Sequence, residues 1–486
     1  MRVSGGLREQ ALGGVLLLGS QRVIGIVVTT LGGIVLARML APSVFGMYVV
    51  MMFAIGLGIA VADLGLGAAL IQRRETDIAA TLQAAFLAQM TLSLCLVGVL
   101  VGSAPVVASL LGLAPESVSS FRVLALLLPL ATLRMPVAVL LERQLNFTPA
   151  TLSETLDVVT FNVVAVAAAA SGWGVWSLVA GVLAARLSGA AVLYWYAGWY
   201  PAWQWHPARL GDLVRAGRPF QGTSFLVLAR DAVVPVVVAT WSGVTAVGLL
   251  NMAVTIAALP SHVVSLVGRV LFPLLSGLQN DLHRFASATE RALNRVAAVM
   301  YPIAGILLAG AGTIVPLVLG ERWVQSVPAV QLLCLSTIMG GTATVLVMAL
   351  NSLGRAETVF RLNLLWTGGL WGLSLVLIPL LGFVGYAVAS VCQAATGVLA
   401  LRELRRVIPL RVWNPIGAPC VASAASALVV WGLVPWIHTL SALLAGGLLA
   451  LAVYAGLVAW MGGAGWRAEV REDWNNLTGS RGPGRA

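Results

Sequence analysis

The sequence predicts an all-α polytopic membrane protein of fourteen transmembrane helices. Three observations lead there. Of 486 residues, 59% are hydrophobic and only 10% are charged, where a soluble domain carries about 25% charged residues. Mean hydropathy is +0.95, and the apolar residues gather into runs near the roughly 20 residues that a helix needs to cross a bilayer. The charges fall between those runs, and they fall unevenly on alternate sides.

The elements follow in order along the chain. Residues 1–11 are too polar for a span and lack a cleavage pattern, so no removable signal peptide is expected. Apolar runs then cover 12–36, 44–70, 79–101 and 118–140, with 102–117 the longest loop on its side. Runs at 151–171 and 173–197 bring the first set to six. At the end of the sixth stands Tyr194-Trp195-Tyr196-Ala197-Gly198-Trp199-Tyr200, with Trp203 and Trp205 following. Such rings favour the headgroup layer, although they also suit a stacking platform for sugars or bases. Residues 198–219, rich in Pro, Trp and Arg, read as a linker lying along the membrane surface. Six more runs follow at 220–240, 244–271, 293–318, 330–353, 359–381 and 384–401. A pair at 415–436 and 440–461 precedes a polar tail, 462–486.

An even number of spans puts both termini on one side, and arginine bias selects it. With the N-terminus cytoplasmic, 21 of the 29 arginines lie on inside segments, against Arg38, Arg122 and Arg322 outside. Both termini are therefore expected in the cytoplasm.

Composition removes much chemistry. All 29 basic residues are arginine, which excludes a phosphate-loop lysine, a Schiff-base lysine and a Ser-Lys dyad. Cys95, Cys334, Cys392 and Cys420 lie in apolar runs, and His206, His262, His283 and His438 are scattered without metal-like spacing. The short loops carry no catalytic cluster of carboxylates or histidines. The expectation is no enzyme activity, no cofactor, no metal and no nucleic-acid partner.

Sequence pieces then point to a family. Leu36-Ala37-Arg38-Met39-Leu40-Ala41-Pro42-Ser43-Val44-Phe45-Gly46-Met47-Tyr48 resembles the turn joining the first two helices of bacterial lipid-linked oligosaccharide flippases. Ala62-Asp63-Leu64-Gly65-Leu66-Gly67, Ile71-Gln72-Arg73 and Glu142-Arg143-Gln144-Leu145-Asn146-Phe147 follow in the family's order. So do Arg230-Asp231, Gly248-Leu249-Leu250-Asn251, Leu271-Phe272-Pro273-Leu274-Leu275-Ser276, Gly320-Glu321-Arg322-Trp323 and Ala349-Leu350-Asn351-Ser352-Leu353-Gly354. The resemblance runs from about Gly19 to Leu401, and Leu249-Leu250 departs from it where the family more often has tyrosine. That family belongs to the multidrug/oligosaccharidyl-lipid/polysaccharide exporter superfamily, and the chain is similar to its branch exporting O-antigen, colanic-acid and exopolysaccharide units. The resemblance implies two six-helix halves around a central cavity: 1–197 and 220–401, joined by 198–219 and followed by the trailing pair within 402–461. Val44–Tyr48 and Ala246–Leu250 occupy the same turn in each half, 202 residues apart, as a faint internal repeat.

Charge inside a span marks function or pairing, because it costs about 2.5–3.5 kcal/mol at the bilayer centre on insertion scales. Arg269 and Arg134 lie toward the inner ends of their helices and can snorkel to the surface, with a cavity role as the alternative. Arg186 lies mid-helix, with Asp157 and Glu154 offered by the preceding helix, and is read as a structural ion pair. Asp63 either caps amides around Gly65 and Gly67, pairs with Arg73, or takes part in ion coupling. Arg22 and Arg230 each sit about ten residues inside the first helix of a half, near Gly25 and Pro235 respectively. Interrupted helices at corresponding places point to a transport site. Being adjacent, Arg230 and Asp231 are expected to diverge by about 100° and not to pair, leaving Asp231 to orient a neighbour. A clamp between Arg22 and Asp231 is the alternative.

Arginine forks match phosphate oxygens and keep their charge, so Arg22 and Arg230 predict a compact anionic ligand. The resemblance implies which one: an undecaprenyl-diphosphate-linked oligosaccharide, moved from inner to outer leaflet of a bacterial inner membrane by alternating access. Membrane lipids and polysaccharide polymerase machinery are the further partners this implies. Open alternatives are a multidrug or cation extruder of the same superfamily, a membrane-embedded polysaccharide polymerase or ligase, and a non-transporting scaffold.

Overall fold

The computed structural model describes residues 25–72, 79–110, 112–144, 146–202 and 207–461. All regular structure among them is helical. Among the described residues, twelve helical stretches are long and apolar enough to cross a membrane, and a shorter apolar helix, Gly25–Met39, precedes them. One of the twelve, Gly211–Ala258, is interrupted at Gly243, where φ 82° and ψ 168° lie in a region that glycine alone enters freely. The chain is a multi-pass membrane protein of two compact units, 1–251 and 252–486.

The first unit starts with α1 (Gly25–Met39) and α2 (Pro42–Asp63). Pro42 suits the opening of α2, where its missing N–H would have no helical partner. The predicted run 44–70 is broken: α2 stops at Asp63, Leu64 (φ 52°) and Gly65 (φ 68°) turn left-handed, and α3 (Leu66–Gln72) resumes. Next comes α4 (Ala79–Leu110). It absorbs most of the expected loop 102–117, because Val101–Leu110 is apolar or small and Pro105 is tolerated where neighbours satisfy the freed carbonyl. The run 118–140 becomes two segments, α5 (Ser117–Leu124) and α6 (Leu127–Arg143).

Helices α7 (Thr148–Ala170) and α8 (Val175–Ala197) form the tightest hairpin of this unit. Gly181, Ala185 and Gly189 recur every four residues on α8, and such small-residue stripes let membrane helices approach closely. A Cβ on Gly181 would lie 2.9 Å from Ala165 Cβ. In the last turn of α8 and just beyond it, Trp195 and Tyr200 are exposed, as membrane-interface rings are. Trp199 turns inward, edge-on to Phe86 with ring centroids 6.1 Å apart.

Helix α9 (Pro207–Asp231), the π-helical turn Val233–Val238 and most of α10 (Ala239–Ala258) also belong to the first unit. The compact units therefore divide after Asn251, well beyond the linker at which the sequence halves were drawn. Glycine contacts are the physical reason. A Cβ on Gly65 would fall 2.2 Å from the Gly217 carbonyl oxygen, and one on Gly46 1.8 Å from that of Val244. Between them Gln221 Nε2 donates to Ala60 O at 2.7 Å.

The second unit contains α11 (Ser261–Gly277), α12 (Leu282–Leu319), a 3-10 turn at Glu321–Ser326 and α13 (Val327–Ser352). Pro260 ends α10, so the run predicted as 244–271 is split. Helix α12 starts eleven residues before its predicted span, at an Asp281 side chain that accepts the Arg284 amide at 3.0 Å. Then follow α14 (Ala356–Leu381), α15 (Val384–Ala395), α16 (Val398–Arg405), α17 (Trp413–Leu433) and α18 (Leu440–Met461). The last pair packs on α12 through hydrogen bonds that hydrocarbon cannot replace: Ser423 Oγ to Tyr301 O, 2.7 Å, and Tyr454 OH to Ala298 O, 2.8 Å.

Candidate functional site

Three helices of the first unit bring charge together at one depth. Asp157 on α7 accepts Arg134 Nη1 from α6 at 2.7 Å and Arg186 Nη1 from α8 at 3.0 Å, both on Oδ2. Arg134 Nη2 donates to Ser153 Oγ at 2.8 Å, and Ser153 in turn donates to Gly189 O at 2.9 Å. The small-residue stripe makes this possible: a Cβ on Gly189 would sit 2.0 Å from Asp157 Oδ1.

Depth follows from helix rise. Arg134 and Asp157 each lie nine residues from the helix ends at Arg143 and Thr148, and Arg186 eleven from Ala197. At 1.5 Å per residue that is about 14–16 Å, half of a hydrocarbon core of about 30 Å. Arg134, expected to snorkel, instead stays inside because Asp157 and Ser153 satisfy its guanidinium there. Its side chain is 16% exposed and that of Asp157 13%, whereas Arg186 remains 50% exposed. Two guanidinium groups share one carboxylate, so the cluster carries a net positive charge, and Arg186 presents it. Glu154 is exposed one turn before Asp157 and makes no part of the cluster.

The other expected residues are placed differently. Arg22 lies outside the described residues, and Arg269 lies on α11 with its side chain outside them. Arg230 and Asp231 do pair, Nε to Oδ1 at 3.0 Å, against the expectation that neighbours on a helix diverge too far. The reason is local: α9 ends at Asp231, the backbone widens into the π-helical turn containing Pro235, and both side chains are half exposed and free to fold together. Asp63 lies at the break after α2, where Gln89 Nε2 donates to its backbone oxygen at 2.6 Å and to Oδ1 at 3.3 Å. Beside it is a cavity of about 40 Å³.

Sequence reading missed the sharing of Asp157 between two arginines and the Ser153 support. The i, i+4 spacing of Ser153 and Asp157 opposite Gly189 was the available signal. Among the described residues no group of three His, Cys, Asp or Glu side chains is arranged to hold a metal.

Residues 35–328 match the family model described as "Polysaccharide biosynthesis protein". The succinoglycan biosynthesis transport protein ExoT of Rhizobium meliloti (strain 1021) is 26% identical over 67% of this chain, which spans 66% of that relative's length. The teichuronic acid biosynthesis protein TuaB of Bacillus subtilis (strain 168) is 26% identical over 76% of this chain and 78% of its own. The solved structure of the lipid II flippase MurJ in an inward closed conformation superposes with TM-score 0.75 at 14% identity, covering 91% of this chain and 98% of that one. The helices described above thus adopt a MurJ-like fold, and the chain belongs to the polysaccharide biosynthesis protein family.

Proposed function

We propose that this protein is a flippase rather than an enzyme. It carries undecaprenyl-diphosphate-linked oligosaccharide repeat units from the inner to the outer leaflet of a bacterial inner membrane by alternating access, and hands them to polysaccharide polymerase machinery. Both termini face the cytoplasm and the spans number fourteen, with Gly25–Met39 as part of the first and Gly243 as the turn between the seventh and eighth.

One observation carries the reading: a net-cationic cluster at mid-membrane depth whose half-exposed member, Arg186, keeps guanidinium donors free for an oxyanion. A charge so placed is costly without a ligand or a wet chamber. A diphosphate supplies charge-assisted, bidentate hydrogen bonds, while the polyprenyl tail stays in lipid. Arg230, tethered to Asp231, and Arg22 are the further cations of the clamp. Family membership and the MurJ-like fold support a lipid-linked saccharide as cargo. A cation extruder would need surplus acid where this site has surplus base.

The test is binding of undecaprenyl-diphosphate-linked oligosaccharide to the purified protein. Losing one charge-assisted contact costs about 1.5–3 kcal/mol, so Arg186→Gln should weaken binding by about 10-fold or more. Equal affinity of wild type and variant would reject the clamp.

A further inference from the structure

Asp63 differs from the other aspartates within the spans. Asp157 has two guanidinium partners and Asp231 has one. Among the described residues Asp63 has only neutral partners, the Gln89 amide and the Gly65 backbone N–H. It ends α2 within an apolar span, where the left-handed Leu64 and Gly65 separate it from α3. An ionised carboxylate there calls for a cation.

The surroundings are built to receive one. The adjoining cavity of about 40 Å³ is lined by Asp63, Gln89 and Thr132 together with Ile59, Leu128 and Met135. A water needs about 10–15 Å³ by this measure, so a small ion fits with one or two waters. Three side chains offer oxygen. Asp63 brings its carboxylate. Gln89, 2% exposed, spends its nitrogen on Asp63 and retains its carbonyl. Thr132, 5% exposed, donates its hydroxyl proton to Leu128 O at 3.1 Å and keeps its lone pairs. The backbone adds to this. Helix α2 ends here, with Leu64 and Gly65 left-handed, and the C-terminal end of a helix carries roughly half a negative charge. The ends of interrupted membrane helices serve monovalent cations elsewhere for the same reason.

We propose that this pocket binds one partly dehydrated sodium ion through oxygens of Asp63, Gln89, Thr132 and water. Hard cations take oxygen ligands. A single carboxylate balances a single charge, which favours a monovalent ion over calcium. A proton would use the carboxylate alone and leave the amide carbonyl, the hydroxyl and the space without a role. Gly65 also packs against Gly217 of α9, so occupancy bears directly on the contact between the α2 break and α9.

Binding of radioactive sodium to the full-length protein in lipid nanodiscs, with no lipid-linked saccharide present, tests this independently of the transport reading. Saturable binding near one ion per chain is expected. Asp63→Asn should weaken it by about 100-fold and Thr132→Val by about 10-fold, the range that even outer-shell substitutions at metal sites span. Glu357→Gln, in the exposed surface pair with Arg361, should leave it unchanged. Thr132→Val keeps the carboxylate and so carries the test if Asp63→Asn does not fold. Absence of saturable sodium binding in the wild type overturns the proposal, as does equal binding by wild type and both variants. Proton uptake at Asp63 that sodium does not compete with would also overturn it.

Discussion

Gly46 and Gly248 meet as reciprocal partners. A Cβ on Gly46 would fall 1.8 Å from the carbonyl oxygen of Val244, and one on Gly248 would fall 1.9 Å from that of Pro42. Each glycine therefore faces the carbonyl four residues before the other, as a local two-fold relation requires. The faint repeat between Val44–Tyr48 and Ala246–Leu250, read from sequence as a turn, thus lies within α2 and α10, as two helical segments in mutual contact. Any added methyl group on either side must push two backbones apart.

Gly46→Ala and Gly248→Ala should each lower stability by about 1–3 kcal/mol, the usual cost of overpacking. Gly33→Ala and Gly56→Ala meet nothing within 4 Å and should be neutral or slightly stabilising. Thermal unfolding of the four variants in one detergent checks this. Equal melting temperatures across the set would contradict the contact.

Asp157 holds two guanidinium groups, so its loss strands both. Asp157→Leu should destabilise by about 3–5 kcal/mol, because breaking a buried pair leaves uncompensated charge. Arg134 is the more buried partner, and the double variant Asp157→Leu/Arg134→Met should recover most of the loss. Denaturant midpoints of the two variants measure it. A double variant no more stable than Asp157→Leu would show that Arg134 does not depend on Asp157.

Gly189 keeps the space that Asp157 occupies. Gly189→Ala would place a methyl 2.0 Å from Asp157 Oδ1 and 2.8 Å from Ser153 Oγ, so it should disrupt the cluster and weaken binding of the diphosphate-linked lipid. Gly98→Ala, with open space around it, is the control in the same binding measurement. Matched affinities for the two variants would argue against this role.

The span pattern was legible because it is written along the chain in apolar runs and arginine spacing. The breaks inside spans were less so. Leu64-Gly65 carried a glycine signal, but the turn between α5 and α6 interrupts an unbroken apolar stretch, Val123–Leu130, with no glycine, proline or polar residue before Pro129. For the site, Arg186 and Asp157 could be related because a hairpin places them at one depth. Arg134 could not be joined to them, since α6 approaches that hairpin only through tertiary packing. The Arg230–Asp231 pair escaped a regular-helix argument because the helix stops being regular at that point.

Orientation is a separate expectation, resting on the arginine bias. On a cysteine-free background, Glu321→Cys should react with an impermeant reagent added outside cells, and Trp413→Cys should not. Both positions are exposed. Labelling of Trp413→Cys alone would invert the topology.

The central claim is movement of a diphosphate-linked saccharide across the bilayer, and a leaflet assay tests it most directly. Vesicles holding the purified protein and a fluorescent undecaprenyl-diphosphate-linked oligosaccharide are treated with an impermeant quencher. With wild type, fluorescence from both leaflets should be lost; with Arg186→Gln, the inner-leaflet fraction should disappear several-fold more slowly, in line with the contact energy of one charged hydrogen bond. An inner-leaflet fraction that stays as protected with the wild-type protein as in protein-free vesicles would contradict the account.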